Sequence, residues 1–485
     1  MLRHLKRLTK HSAVYGLGHI ITRLVNFLLL PLYTHKLPTD DFGASQVVYA
    51  FIAVMTIIYT FGIDAAFLRY FILSDDKEKR RQVFSTAFWA IFSAVILFTF
   101  CTIYFSDWIG RLLISEGDYS NLIQLTGIIL MFDALAFLPF LYLRAEEKSA
   151  LYTLLKFVNV LINVALNVYL IVYLKRGVEA IFVANAWASG LTFVSLLYII
   201  IKQISFKFNK DDFRALLKFG LPFLPSALSV VILDLIDRPI LEKLAGLEAT
   251  GIYSAGAKLG IFMALIVTAF RFAWHPFFLS TSRQENAKEI FARVLTYFTF
   301  ICCFIFLLVS LFIDDIVRAK IFGVTIFGRQ YWSATAVVPP ILASYIFYGM
   351  YVNFMVGIYL QEKTKYLPFI TFAGAAINII ANLILIPQIG IMGGAWSRLI
   401  GHATMCFMLL LFAQRFYKID YEYFRLFKLG IVTVIAFFIG YNYHGAAELL
   451  IKFGIFAAAP VALFLIGFFE KREIITFKKL LTGKT

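Results

Sequence analysis

Apolar runs of about 20 residues follow one another along this entire chain, separated by short polar breaks. That length crosses the roughly 30 Å hydrocarbon core of a bilayer as a helix. In lipid every backbone amide must be satisfied internally, which leaves helices or a closed barrel. The alternating pattern of barrel strands is absent. With 61% hydrophobic and only 15% charged residues among 485, too little charged surface remains to cover a soluble body. The expected class is therefore an all-α polytopic membrane protein. Fourteen spans are expected near 12–32, 43–70, 84–105, 121–142, 151–174, 180–201, 219–240, 251–276, 291–312, 337–360, 367–387, 391–413, 429–443 and 447–469.

An even number of spans puts both ends of the chain on one side. With edge residues counted with their loops, 29 Lys and Arg fall on that side and 9 on the other. Cytoplasmic loops carry the excess of Lys and Arg, so both termini are expected in the cytoplasm. The net charge of +16 then reflects topology and attraction to anionic head groups, and no nucleic-acid partner is called for. The opening "MLRHLKRLTKH" runs into the first span without a small-residue cleavage site, so that span is expected to stay. Cys101, Cys302, Cys303 and Cys406 all lie in apolar runs without metal-ligand spacing. No phosphate-binding loop or dinucleotide fingerprint is present. Neither cofactor nor metal is expected.

The chain partly repeats itself at a period of 208–217 residues. "HKLPTDDFGASQ" before span 2 pairs with "EKLAGLEATGIYSA" before span 8. "YLRAEEKSALY" after span 4 pairs with "YLQEKTKYLPF" after span 10, and "INVALNVYLIVYLKRGVEA" with "INIIANLILIPQIGIMGGA". Six spans per copy give both copies one orientation, hence a pseudo-twofold along the membrane normal. The expected lobes are 1–205 (spans 1–6) and 206–415 (spans 7–12), with 416–485 holding spans 13 and 14 and the tail.

A charge at mid-bilayer costs a few kcal/mol and needs a partner, a wet cavity or a nearby interface. Arg23 lies roughly 16 Å into span 1, at 1.5 Å per residue, and shares a face with His19 and Asn26. A cavity wall or a buried pair with Asp133 would each accommodate it. Asp234 and Lys258 are expected to pair across spans 7 and 8. Arg69 and Arg271, late in their spans, suit snorkelling to lipid phosphates. Arg398 and His402 sit one turn apart. Asp64 suits gating, an ion pair or a coupling proton, and Pro239, in Asp237–Arg238–Pro239, is expected to end span 7. Lys156, Asn159, Asn163 and Asn167 form a polar seam on one helix face. Asn163 and Asn167 recur as Asn378 and Asn382 in the second copy, which marks these four as structural contacts between helices. Lys156 and Asn159, without counterparts, are assigned to the cavity.

"GIDAAFLRYF" (62–71), "LIDRPILEKLAGLEATGIYSAGAKL" (235–259), the paired Asn motifs and the layout of six, six and two spans resemble the oligosaccharide flippases of the multidrug/oligosaccharidyl-lipid/polysaccharide exporter superfamily. The resemblance covers essentially the whole chain. It implies lobes that alternate between inward-open and outward-open, a polyprenyl-diphosphate-linked glycan as cargo, the inner membrane as location, and a downstream polymerase or ligase beside membrane lipids as partners. It implies no enzymatic step. On this reading Arg23, Asn26, Lys156, Asn159, Lys258, Arg271 and Arg398 line the substrate cavity. Asp64, Arg69, Asp133 and Asp234 couple or gate. A positive cavity suits a diphosphate. A peptidoglycan-precursor flippase and a cation-coupled multidrug exporter of the same superfamily are the alternatives.

Overall fold

The computed structural model describes residues 24–25, 27–74, 76–321, 323–443, 447–470 and 473. The first expected span lies largely outside these residues, as do Arg23 and Asn26. Among the described residues, 13 helices are long and apolar enough to cross a membrane, and they correspond one to one with expected spans 2–14. The chain is an all-α multi-pass membrane protein. Its sole sheet among the described residues is a hairpin of β1 (Lys320–Ile321) and β2 (Val324–Thr325).

Three local details differ from the expected spans. After a short helix α1 (Leu30–Lys36), span 2 is two helices, α2 (Thr39–Thr60) and α3 (Ile63–Ile72), because Phe61 and Gly62 both take left-handed backbone angles. Span 7 is entered through a polar helix, Lys210–Gly220, whose N-cap Asn209 accepts from the amides of Asp211 and Asp212. Pro239 does not end a helix. It lies in the first turn of Asp237–Leu259, which bends at Gly246. Proline is tolerated there because first-turn amides have no intrahelical acceptor to lose.

The chain divides into two compact units. The first gathers the residues up to Leu259 with Phe327–Val337 and Thr364–Met405. Its apolar core joins Phe67, Phe71, Phe84, Ile91, Leu130 and Leu138. At one end of this unit the two sequence repeats close on each other. Gln330 Nε2 donates to the Leu37 carbonyl at 2.9 Å, and the Tyr331 hydroxyl to those of Leu37 and Pro38 at 3.3 and 3.1 Å. The Ser115 amide donates to Glu242 at 2.5 Å, and Lys243 to the Ser115 hydroxyl at 3.0 Å.

The second unit holds Gly260–Ile326, Val338–Lys363 and everything from Cys406 on. Here spans 13 and 14 pack on the helix Ala287–Arg318 through Cys303, Leu429, Leu463 and Phe468. Lys452, nearly buried, bridges Asp315 and Glu448 at 2.8 and 2.7 Å. Beyond span 14, Arg425 holds Glu473 at 3.0 Å and Glu422 at 2.9 Å, and the Glu470 amide donates to Glu473 at 2.9 Å. Burial alone would raise the Glu473 pKa. Hydrogen bonds from Tyr297 and the Glu470 amide, with the Arg425 charge, more than offset that and hold it below the usual carboxylate range. A carboxyl lowered in the folded state contributes stability above its unfolded value and loses it as pH falls through the folded one. Hydrogen-exchange protection factors in 466–470, referred to the intrinsic rate at each pH, should therefore be high at neutral pH and fall below about pH 4. In Glu473→Gln they should be low at both.

Candidate functional site

Inside the first unit is a cavity of about 350 Å³, lined by Leu29, Tyr33, Gln46, Tyr49, Asn159, Val160, Asn163, Ile181, Asn185 and Lys258. Four helices supply the polar side chains besides Tyr33: α2, Ser149–Val168, Glu179–Gln203 and Asp237–Leu259. Each helix crosses a bilayer's thickness, yet each turns one or two polar groups to this space. Lys258 is the charged residue among the described lining. Its Nζ stands 4.9 Å from the Phe42 ring centroid and 5.9 Å from that of Tyr33, a cation–π arrangement. No described carboxylate lies within ion-pair distance of it.

Polar groups on the wall are anchored from behind. Tyr33 donates its hydroxyl to Asn167 Oδ1 at 3.0 Å, and Asn167 Nδ2 donates to Asn163 Oδ1 at 2.9 Å. Asn159 Nδ2 donates to Thr192 at 2.9 Å. Gln46 Nε2 donates to Ser45 at 2.9 Å. Tyr49 stacks on Phe182 and shares the wall with Asn185. Next to this wall, exposed Asp133 lies close to Ser189 and within electrostatic range of Lys156 and Tyr49. Lys156 rests its ammonium 4.2 Å from the centroid of Phe140.

Of the residues assigned to the cavity from sequence, the structure places Asn159 and Lys258 on its wall and Lys156 near it. Arg23 and Asn26 lie outside the described residues. Asn163, assigned to structure, is on the wall, whereas Asn167, Asn378 and Asn382 are fully buried. Arg271 lies in the second unit, exposed, and donates to the Tyr348 hydroxyl at 3.2 Å. Asp64 is exposed, and so is Arg69, stacked 4.6 Å from the Phe219 centroid.

The expected Asp234–Lys258 pair does not form. Asp234 is bound by Arg398 at 2.8 Å and approached by His402 at 3.7 Å. Arg398 also reaches Asp237 at 4.0 Å, and Asp237 is held by Arg238 at 3.0 Å and by the Tyr253 hydroxyl. A guanidinium fork from span 12 reaches two carboxylates at once, which the ammonium of Lys258, turned to the aromatic rings, does not. Arg398 is therefore buried in an ion cluster, off the cavity wall. Sequence reasoning missed Tyr33, Gln46, Tyr49 and Asn185. The amides of Gln46 and Asn185 were readable as polar breaks in apolar runs. The tyrosines were hidden among the aromatic residues.

Residues 8–282 match the family described as "Polysaccharide biosynthesis protein". Over 70% of its length the chain is 23% identical to "Lsg locus putative protein 1" of Haemophilus influenzae, covering 84% of that protein. Over 96% of its length it is 22% identical to an uncharacterised membrane protein of Methanocaldococcus jannaschii, covering 98% of it. Among solved structures it is similar to "Lipid II flippase MurJ, inward closed conformation", with a TM-score of 0.75 at 14% identity over 93% of this chain and 99% of that one. An outward-facing multidrug resistance MATE family transporter matches with a TM-score of 0.59 at 13% identity, over 85% and 95% of the two chains. At such identities these structures speak for the fold alone.

Proposed function

The chain belongs to the polysaccharide biosynthesis protein family, and on that premise we propose that it is a flippase: it moves a polyprenyl-diphosphate-linked oligosaccharide, the repeat unit of a cell-surface polysaccharide, from the cytoplasmic to the outer leaflet by alternating access. The observation that carries this reading is the cavity itself. A sugar is kept out of lipid by its hydroxyls, each costing kilocalories when stripped of hydrogen bonds. Amides, tyrosines and a lysine on transmembrane helices replace those bonds. The cargo is anionic, and Lys258 offers a charge with no described carboxylate against it. The polyprenyl tail stays in lipid while the head group crosses. No covalent step is involved.

In this reading the lobes 1–205 and 206–415 rock about their pseudo-twofold, and spans 13 and 14 stand outside the motion. The protein sits in the inner membrane with both termini cytoplasmic, as the Lys and Arg asymmetry argues. The glycan is handed to a downstream polymerase or ligase. Asp133, exposed behind the cavity wall and within electrostatic range of Lys156 and Tyr49, is the carboxylate we assign to coupling transport to an ion gradient.

The test is translocation in proteoliposomes of a defined polyprenyl-diphosphate glycan, with a lipid-linked peptidoglycan precursor as a parallel arm. Head groups should reach the opposite face faster than in empty vesicles, and faster for the oligosaccharide than for the precursor. Lys258→Gln should slow this at limiting substrate by about tenfold or more, the worth of a charge-assisted hydrogen bond. Wild-type protein no faster than empty vesicles would end the proposal, and so would Lys258→Gln at the wild-type rate.

A further inference from the structure

The same hydrogen-bonded motif occurs in both repeats and does different work in each. Asn382 Nδ2 donates to Asn378 Oδ1 at 3.1 Å and to its carbonyl at 2.9 Å. Asn167 Nδ2 donates to Asn163 Oδ1 and to its carbonyl, both at 2.9 Å. In the second repeat both members are fully buried, and Asn382 Oδ1 has no hydrogen-bond partner among the described residues. In the first, the corresponding oxygen of Asn167 is capped by the Tyr33 hydroxyl, and Asn163 faces the cavity.

That cap fixes a direction. With its oxygen accepting from Tyr33, Asn167 turns its amide nitrogen to Asn163. Asn163 must then present its oxygen inward to Asn167, leaving its N–H donors for the cavity. Tyr33 also lies beneath the other donor on this wall, because its ring is one of the two under the Lys258 ammonium. One tyrosine thus positions two donors, an amide and an ammonium. Elsewhere on the wall acceptors are also offered: Asn159, one turn from Asn163, gives one N–H to Thr192, and Gln46 gives one to Ser45, and the side-chain oxygen of each accepts no hydrogen bond among the described residues. Sugar hydroxyls satisfy such oxygens. They do not neutralise an ammonium, and Asp133, the carboxylate nearest this wall, faces Lys156.

We infer that Asn163 and Lys258 together read an oxyanion carried by the head group, with Asn163 as a specificity-determining residue and Tyr33 as the residue that positions it. The oxyanion is a sugar carboxylate or the diphosphate itself. The inference rests on the flippase reading above and deepens it.

The experiment compares initial translocation rates in proteoliposomes for three cargoes: a polyprenyl-diphosphate glycan containing a hexuronic acid, its neutral hexose counterpart, and the neutral glycan on a monophosphate. Asn163→Asp keeps the shape and the bond from Asn167 but turns a donor into an acceptor next to Lys258. It should slow the preferred anionic cargo at limiting concentration by about tenfold or more. If wild type prefers the hexuronic acid and Asn163→Asp erases that preference, the carboxylate is what is read. If wild type treats the two diphosphates alike, prefers both to the monophosphate, and Asn163→Asp erases that difference, it is the diphosphate. Tyr33→Phe keeps the ring under Lys258 and frees the relay. It should raise the half-saturating concentration of the same cargo several-fold and leave the maximal rate near wild type, a split that general misfolding would not produce. Asn163→Asp with wild-type rates on every cargo, or an equal loss on all three, would overturn the inference. Wild-type protein that moves none of the cargoes would instead overturn the flippase reading.

Discussion

Replacing Arg398 with methionine should lower the protein's stability by about 2–3 kcal/mol, less than the cost of breaking a wholly buried charge pair, because the Asp234 side chain is 39% exposed. The side chain of Arg398 is 4% exposed and serves Asp234 at 2.8 Å and Asp237 at 4.0 Å. Without it, Asp237, fully buried, keeps Arg238 and the Tyr253 hydroxyl. Asp234 keeps the more distant His402 ring and the Arg238 charge, which is already shared with Asp237. At about 2 cal/mol/K of unfolding entropy per residue, the melting temperature in detergent should fall by roughly 2–3 °C. The double variant Arg398→Met/Asp234→Leu should recover most of it, because removing both charges also removes the desolvation penalty. A fall in the single variant no larger than in the double would mean that the cluster is not what holds spans 7 and 12. The double variant also separates roles. If it is stable yet fails to transport, Asp234 acts in the cycle as well as in the fold.

That cluster shows where sequence reasoning stops. The spans were legible because bilayer thickness imposes a length and lipid imposes apolarity, and both are local properties. The repeat was legible because two copies keep the same turns in the same order. The partner of Asp234 was not. Asp234 is 24 positions before Lys258 and 164 before Arg398. Adjacent spans suggested the nearer base, while the fold brings Arg398 of span 12 to Asp234. Pro239 was misread for a related reason. Proline stops a helix arriving from before it and begins one leaving after it, and the residues alone do not say which side the helix lies on.

The cavity was half legible. Lys156 and Asn159 stood out as polar residues in an apolar run, and the structure puts Asn159 on the wall and Lys156 near it. Asn163 was grouped with its structural twins because it repeats. Repetition reports a shared fold, and only the cap from Tyr33 distinguishes the copy that faces open space from the copy that does not. Tyrosine is counted with the hydrophobic residues in composition, so a wall built from Tyr33 and Tyr49 leaves no polar mark on the sequence.

Where the repeats meet, substituting two glycines should shift the whole cycle. In the first unit α2 crosses the helix Asp237–Leu259 at Gly43 and Gly251, which are 208 positions apart (251 − 43), one repeat period. A Cβ on Gly43 would stand 2.1 Å from the Leu247 carbonyl oxygen, and one on Gly251 2.0 Å from that of Thr39. Each glycine thus meets the carbonyl four residues before the other, the reciprocity that a twofold contact requires. In the orientation proposed above, this is the outer end, where the hydrogen bonds among Gln330, Tyr331, Leu37 and Pro38 also lie. No side chain fits there without parting the helices, and overpacking costs typically 1–3 kcal/mol per site. If the repeats separate here when the cavity opens outward, Gly43→Ala/Gly251→Ala penalises the closed arrangement alone. A bias of about 3 kcal/mol is roughly a 150-fold shift in population. In a variant free of native cysteines and carrying Gln46→Cys on the cavity wall, a membrane-impermeant thiol reagent added outside should then label position 46 far faster than in the parent with both glycines. Transport should fall, because the cycle must pass through the closed form. Labelling and transport both at parental rates would show that this crossing stays closed throughout, and that any access to the outside opens elsewhere.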